Sequence, residues 1–172
     1  THLIRDDEGD MKKALEKLKR IRRERYNRYS DKRPRIMGEN MILRILKKND
    51  DYTYLQDSGY FRMNELVGSI YEPLPDISPF MFKKVRFRMA ARDDVDEVTH
   101  ATLYWSSEEM ENLSSRQHLK TKISLDGEKR VYEFDLENHY QWLYYGNITA
   151  IRVDFIHGKG KEFKLKEILL VP

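Results

Sequence analysis

Beyond about residue 38, apolar and polar residues alternate along most of the chain with a period of two. Such alternation is typical of β-strands that bury one face and expose the other to water. It is clearest in four runs, each of which we predict to be a strand. The inward side of these runs consists of Val85, Phe87 and Met89, then Leu119, Thr121, Ile123 and Leu125, then Tyr132, Phe134 and Leu136, and finally Ile151, Val153 and Phe155.

Weaker alternation and turn residues complete the predicted fold. Asp126-Gly127, placed between two alternating runs, predicts a β-hairpin. The proline-rich residues 72–79 predict a crossing between sheets or around a sheet edge. No long helical pattern separates the runs, so we expect antiparallel pairing and a mainly β fold, a two-sheet β-sandwich or jelly roll preceded by one N-terminal α-helix. The weaker predicted strands are residues 41–46, 52–56, 60–64, 98–105 and 163–170.

Before residue 34 the spacing of apolar residues is helical. Asp10 is a suitable N-cap, and residues 11–31 contain neither Gly nor Pro. A helix of ~20 residues with a narrow apolar stripe is only marginally stable alone. We therefore expect it to have a partner: other copies of the chain in a coiled coil, the sandwich, or helix upstream. The stripe consists of Met11, Ala14, Leu15, Leu18 and Ile21.

The two patterns meet at residues 34–38. Pro34 disfavours helix at the residue before it, and Gly38 adds backbone freedom. We therefore predict a basic helical or coiled-coil segment at residues 1–35 and a β-sandwich domain at residues 36–172.

The composition excludes several classes of protein. The chain has no cysteine, which excludes disulfides, thiolate metal sites and cysteine nucleophiles, and fits a reducing compartment without requiring one. No apolar run approaches the roughly 20 residues that span a bilayer. The first residues lack the apolar region of a signal peptide. Because the sequence also begins without Met, we expect it to be part of a longer protein.

The net charge of +3 hides an uneven distribution. Residues 12–35 hold twelve Lys or Arg and three acids, a balance of +9 that leaves −6 for the rest. A basic helix can lie on an anionic membrane, with roughly 1 kcal/mol per basic residue near the surface. It can also contact nucleic-acid phosphates, but nothing in the predicted sandwich favours nucleic acid. The candidate residues for an anionic partner are Arg20, Arg22, Arg23, Arg25 and Arg28.

No residue pattern typical of catalysis stands out. There is no Gly-x-Ser-x-Gly elbow, phosphate loop or dinucleotide glycine motif. The five histidines lack the spacing of metal ligands. Acidic pairs such as Asp93 and Asp94 fall in predicted solvated loops, whereas a glycosidase needs two opposed carboxylates in a cleft. We predict that this segment is not an enzyme and has no catalytic residues, metal or cofactor.

Aromatic residues offer the best candidates for binding. Tyr and Trp suit sugars because an aromatic ring stacks on the C–H face of a sugar while polar groups meet its hydroxyls. Tyr140, Trp142, Tyr144 and Tyr145 supply such a mixture. A structural interpretation competes with this one: Trp105 at the end of an apolar strand favours the core, and Trp142 favours a plug at one end of the sandwich.

Arg152 and Asp154 are two residues apart in a predicted strand and therefore share one face. If exposed, they can grip sugar hydroxyls. If covered, they favour an ion pair inside the fold.

Several segments in this order resemble the galactose-binding-like jelly-roll modules found beside bacterial polysaccharide enzymes, including glycosyltransferases and glycoside hydrolases. The resemblance covers roughly residues 50–171 and implies a carbohydrate-binding-like domain. Many such modules bind a structural calcium, but no acidic cluster in this sequence indicates one. Gly146 lies four residues after Trp142 and Phe155 replaces an expected Pro, so no binding residue is transferred. The matching segments are residues 101–105, 126–127, 132–136, 142–148, 151–154 and 166–170.

Three functions stay open. The first is a non-catalytic carbohydrate-binding module of a larger bacterial enzyme of cell-surface polysaccharide biosynthesis, of O-antigen or capsule type. It would be cytoplasmic, peripheral to the inner membrane and oligomerised by the helix. The second is a purely structural module that oligomerises or spaces a catalytic domain. The third is a secreted binding module of a glycan-degrading enzyme.

Overall fold

The computed structural model describes residues 9–20, 37–93, 99–111, 118–156 and 158–172. These residues form three helices, a short 3-10 turn at Pro79–Met81 and nine strands. The helices are α1 (residues 9–20), α2 (Glu39–Lys47) and α3 (Tyr140–Leu143). The strands are β1 (Tyr52–Leu55), β2 (Tyr60–Met63), β3 (Val67–Ile77), β4 (Lys84–Arg92), β5 (Thr99–Ser107), β6 (His118–Ile123), β7 (Asp126–Asp135), β8 (Ile148–Ile156) and β9 (Glu162–Val171).

The strands build two antiparallel sheets, so the predicted fold class is confirmed. One sheet has five strands in the order β1-β2-β9-β4-β7, and the other has four in the order β3-β8-β5-β6. Successive strands from β3 onwards repeatedly change sheet, which is how one chain closes a sandwich over a shared core.

The inward side chains of both sheets meet between them. Phe155 of β8 and Phe163 of β9 lie in opposite sheets with ring centroids 5.2 Å apart. Each is about 1% exposed. The inward residues of the four clearest predicted runs are buried, apart from Leu119 and Thr121, which are half-buried near the edge of the smaller sheet. The two-residue period therefore identified the core correctly.

Two indoles close one end of the sandwich. Trp105 and Trp142 are both 0% exposed, and their rings meet edge to face at 5.5 Å. Trp105 Nε1 donates to the Gln141 carbonyl at 3.1 Å, and Trp142 Nε1 donates to the Pro79 carbonyl at 2.9 Å. The structural interpretation of both tryptophans is confirmed, and these bonds fasten the short α3 to the core.

The strand predicted at residues 41–46 is wrong, because this segment lies in α2. Its buried side chains, Ile42 and Leu46, are four residues apart and face β9 and β1. Glu39 in the first turn and Arg44 and Lys47 in the last complement the helix dipole. A short run that is almost wholly apolar satisfies both periods, and here the helical one prevails.

The hairpin predicted at Asp126-Gly127 is also wrong. β6 pairs only with β5 and β7 only with β4 among the described strands, so the two strands flanking this dipeptide lie in different sheets. Gly127 still adopts a left-handed φ of 77°, which suits a sharp change of direction. Turn chemistry thus predicted the bend but not the partner of the strand that follows it.

The proline-rich segment is strand rather than crossing. β3 runs through Pro73 and pairs with β8, with an irregular register between Pro73 and Ile77. Proline has no N–H for a ladder, and β3 lies at the edge of its sheet, where one side needs no partner.

The stripe of α1 faces the domain that follows it. Leu15 and Leu18 pack against the sandwich core, while Met11 is 55% exposed. Of the partners expected for this helix, the structure shows the sandwich. The described residues show no coiled coil. Residues 21–36, which include most of the predicted basic region and Pro34, lie outside the described residues.

Replacing Trp142 tests how the indole plug stabilises the sandwich. We expect Trp142→Ala to lower the free energy of unfolding by about 3–5 kcal/mol, as for other large-to-small core changes. Trp142→Phe keeps most of the ring but leaves the Pro79 carbonyl without its donor, at a cost of about 1–3 kcal/mol. Urea unfolding measures both, with Leu66→Ala at a site 58% exposed as the control. A Phe variant as stable as the wild type would show that the N–H bond contributes nothing.

Candidate functional site

Three of the predicted site residues form an aromatic group at one end of the sandwich. The rings of Tyr140 and Tyr144 stack at 4.8 Å, and Tyr145 lies edge-on to both at 6.3 and 5.4 Å. Tyr144 is 45% exposed, and the other two are partly exposed. Burial, and then the neighbouring Tyr144 and Tyr145, raise the pKa of Tyr140, so its hydroxyl stays neutral and can donate at physiological pH.

Trp142 does not share this surface. Its ring is 0% exposed, so no ring face is available to a sugar, contrary to the prediction that Trp142 contacts the ligand. Its part is to hold α3, and with it Tyr140 and Tyr144, against the core.

Arg152 and Asp154 form the ion pair predicted for a covered site. Arg152 Nε lies 2.9 Å from Asp154 Oδ1, and the two side chains are 31% and 8% exposed. The N–H is not aligned with the carboxylate, so neither atom completes a hydrogen bond. The guanidinium also lies over the Tyr104 ring, 4.6 Å from its centroid.

The strand register extends this pair into a row across the outer face of the four-stranded sheet. Arg152 pairs with Tyr71 of β3 on one side and with Tyr104 of β5 on the other. Tyr104 pairs in turn with His118 of β6, and their rings lie 5.9 Å apart. Tyr71 is 52% exposed, and the other three are partly exposed. We call these four residues the tyrosine–arginine row.

The next row of the same face holds smaller polar residues. Asp154 pairs with Thr102, which is 0% exposed. Among the described residues, Thr102 Oγ1 and His118 Nδ1 are buried without a hydrogen-bond partner, whereas Arg152 Nε and Asp154 Oδ1 are buried against each other in the ion pair. Buried polar atoms are normally satisfied, and leaving one unsatisfied costs about 1–3 kcal/mol. Thr102 and Asp154 are therefore a covered polar row, and the accessible part of this face is the tyrosine–arginine row.

An electrostatic effect of His118 on His139 links the row to the segment that carries the tyrosine group. His139, which immediately precedes α3, lies edge-on to Trp105 at 5.1 Å. Burial lowers the pKa of His139, and the nearby charge of His118 lowers it further. His118 therefore connects the row to the segment that carries Tyr140 and Tyr144.

Sequence reasoning missed Tyr71 and His118 as site residues and left Tyr104 unassigned. Each lies on a different strand, and only the pairing register brings them beside Arg152. In the sequence, Tyr104 and His118 alternate with the apolar residues of β5 and β6, and this pattern indicated that both side chains face outward.

The structure describes only part of the predicted basic region. Arg20 is exposed near the end of the described part of α1, whereas Arg22, Arg23, Arg25 and Arg28 lie outside the described residues. Over the described ranges, no group of three or more His, Asp or Glu is placed to hold a metal ion. No helix among them is long and apolar enough to cross a bilayer.

Comparison with known proteins concerns the architecture. No protein-family model matches the sequence, and no curated protein matches it. Carbohydrate-binding modules are among the solved structures similar to it. The family 11 carbohydrate-binding module from Clostridium thermocellum, in complex with a beta-1,3-1,4-mixed-linked tetrasaccharide, has a TM-score of 0.47 and 14% identity over 70% of this chain and 79% of its own.

Two further structures are more distant. A module described as CBM4 has a TM-score of 0.39 and 9% identity, covering 83% of both chains. The enzymatically active domain of tailspike protein 4 from bacteriophage CBA120 has a TM-score of 0.42 and 9% identity over 65% of this chain but 15% of its own. Similarity at this level concerns the arrangement of strands and assigns no ligand to this chain.

Proposed function

We propose that the chain is a non-catalytic carbohydrate-binding module that holds a glycan on the tyrosine–arginine row. The observation that carries the proposal is the exposed Tyr71 ring beside the partly exposed Arg152 guanidinium, which itself lies over the Tyr104 ring on the same sheet face. A sugar supplies both complements: apolar C–H faces for the rings and hydroxyls for the polar groups.

Each member of the row has a distinct part. Tyr71, the most exposed ring, supplies a stacking surface. Arg152 is steadied by Tyr104 on one side and Asp154 on the other, so little side-chain entropy is lost when it donates to hydroxyls. Tyr140, Tyr144 and Tyr145 lengthen the surface beyond His118, which suits an oligosaccharide better than a single sugar.

The charges of the row favour binding over hydrolysis. Asp154 is the only carboxylate in the described part of the two rows, and Arg152 lies beside it. Glycoside hydrolysis needs a second carboxylate roughly 5–10 Å away.

The wider proposal is that this module belongs to a larger bacterial enzyme of O-antigen or capsule-type polysaccharide biosynthesis. The protein would be cytoplasmic, peripheral to the inner membrane and oligomerised through α1. The basic residues 12–35 support the membrane contact, and the 55% exposed Met11 supports self-association.

Tyr71 and Tyr144 favour a binding module over a purely structural spacer, since a spacer needs no exposed aromatic rings. A signal peptide in the full-length gene would instead favour a secreted degradative enzyme.

Glycan binding and its location form one testable prediction. A glycan array followed by titration calorimetry on the best hit should reveal a ligand. Tyr71→Ala should then raise its dissociation constant about tenfold, equivalent to roughly 1.4 kcal/mol. Arg152→Gln should weaken binding similarly, and Tyr144→Ala should do so only for longer oligosaccharides.

The matched control is Arg62→Gln, since Arg62 is half-exposed on the other sheet. Wild-type affinity in the Tyr71 and Arg152 variants would place the ligand elsewhere. An array without any hit would leave the structural-module alternative.

Self-association is tested by light scattering on the full chain. We expect a multimer that Met11→Glu shifts toward monomer, because the change puts charge into the exposed part of the α1 stripe. Glu16→Gln, on an exposed part of the same helix, is the control. A monomer at all concentrations would contradict oligomerisation through α1.

Membrane contact is tested with vesicles. The chain should bind anionic vesicles and not neutral ones, and replacing Arg22, Arg23, Arg25 and Arg28 with Gln should remove most of that binding, at roughly 1 kcal/mol per residue. Equal binding to both kinds of vesicle would exclude the electrostatic contact.

A further inference from the structure

A second surface of different chemistry lies on the outer face of the five-stranded sheet. An open pocket of about 450 Å³ is lined there by residues of β2, β4, β7 and β9. The register places Ala90 between Lys129 of β7 and Lys164 of β9. Because Ala90 is small, the lysines on either side stand above a shallow floor. We call this surface the lysine pocket.

A β-bulge brings a third lysine to the pocket. β4 pairs Arg88 with Glu167 but Met89 with Leu165, so Lys166 is an extra residue in β9. Bulges re-aim side chains, and here Lys164 and Lys166 both line the pocket. Tyr60 of β2 forms part of the wall, with Arg92 over its ring at 3.9 Å.

The charges around the pocket are unbalanced. Arg130 is paired with Asp126, and Arg88 Nε lies 2.9 Å from Glu167 Oε1. At the margin, Glu162 pairs with Arg92 at 2.9 Å. Across the described residues, the structure shows no ion pair for the remaining three cations. These are Lys129, Lys164 and Lys166.

The register places Lys129 and Lys164 on either side of Ala90, and Lys166 lines the same pocket, so the three ammonium groups share one small surface. The neighbouring Lys166, and then burial and the charge of Lys164, lower the pKa of Lys129. Glu39 of α2 is the acid that acts in the opposite direction, and its effect is smaller than any of these. Like charges held together repel, and an anion placed between them would remove that repulsion.

We propose that the lysine pocket binds an acidic saccharide, with a carboxylate, sulfate or phosphate of the ligand between Lys129, Lys164 and Lys166. The volume suits a ligand of one or two sugar rings rather than a bare ion. The floor of Ala90, the neighbouring Val131 and the Tyr60 wall supply apolar contact for a ring. This site is separate from the tyrosine–arginine row on the other sheet, and binding here does not require binding there.

Titration calorimetry on the full chain tests this site, with tetragalacturonate as the anionic probe and cellotetraose as the neutral one. We expect binding of the anionic probe that weakens with added salt. The double variant Lys129→Gln/Lys166→Gln should weaken it at least tenfold, whereas Lys48→Gln, at an exposed site beyond α2, should not. Tyr71→Ala should leave it unchanged, which separates this site from the row.

NMR tests the anion-binding part of the proposal without any saccharide. The Lys129 ammonium, followed by NMR, should titrate at a higher pH when sulfate is added, because the anion screens its lysine neighbours. Equal affinity for both tetrasaccharides, no binding of tetragalacturonate, or equal loss in the Lys48 control would overturn the proposal. Tighter binding of a short DNA oligonucleotide than of tetragalacturonate, lost in the double variant, would also overturn it and make nucleic acid the occupant.

Discussion

Each strand of this protein sends alternate side chains into one shared core, and that constraint decides what stands on the two outer faces. Phe155 and Phe163 meet between the sheets because both belong to inward positions. Their outward neighbours, Asp154 and Lys164, are thereby committed to opposite surfaces of the sandwich. A one-residue slip in either strand would exchange core for surface, so the hydrophobic core indirectly holds every candidate site residue in place.

The two outer faces have consequently acquired different chemistry. The smaller sheet presents aromatic rings and one guanidinium beside a buried carboxylate, a surface suited to stacking and hydrogen bonding. The larger sheet presents three lysines around an alanine floor, a cationic surface. Under the two proposals, stacking and hydroxyl contacts on the smaller sheet serve neutral sugars, and ammonium groups on the larger sheet serve acidic ones. Such a division allows one domain to hold two parts of a mixed polymer, or two polymers.

The three local predictions that proved wrong share a physical cause. Residues 41–46 are nearly all apolar and so carry no period of their own, and packing against β9 and β1 selects the helix. Asp126-Gly127 favours a sharp bend, yet the bend says nothing about which sheet receives the next strand. Pro73 is unfavourable inside a ladder but tolerated in β3, because an edge strand has one side without hydrogen-bond partners. In each case a local preference left two outcomes open, and contacts distant in sequence chose between them.

From the residues alone it followed that the chain after residue 38 makes an antiparallel sandwich, that its alternating apolar positions form the core, and that Arg152 and Asp154 share a face. These are consequences of local geometry, since side-chain direction in a strand depends only on position. The tertiary structure decided which strands are neighbours, and therefore that Tyr71, Tyr104 and His118 lie in one row with Arg152 while Lys129, Lys164 and Lys166 line one pocket on the other sheet. It also decided that Trp142 is buried and Tyr144 is not, because burial depends on what packs over a residue, and strands far apart in sequence supply that cover.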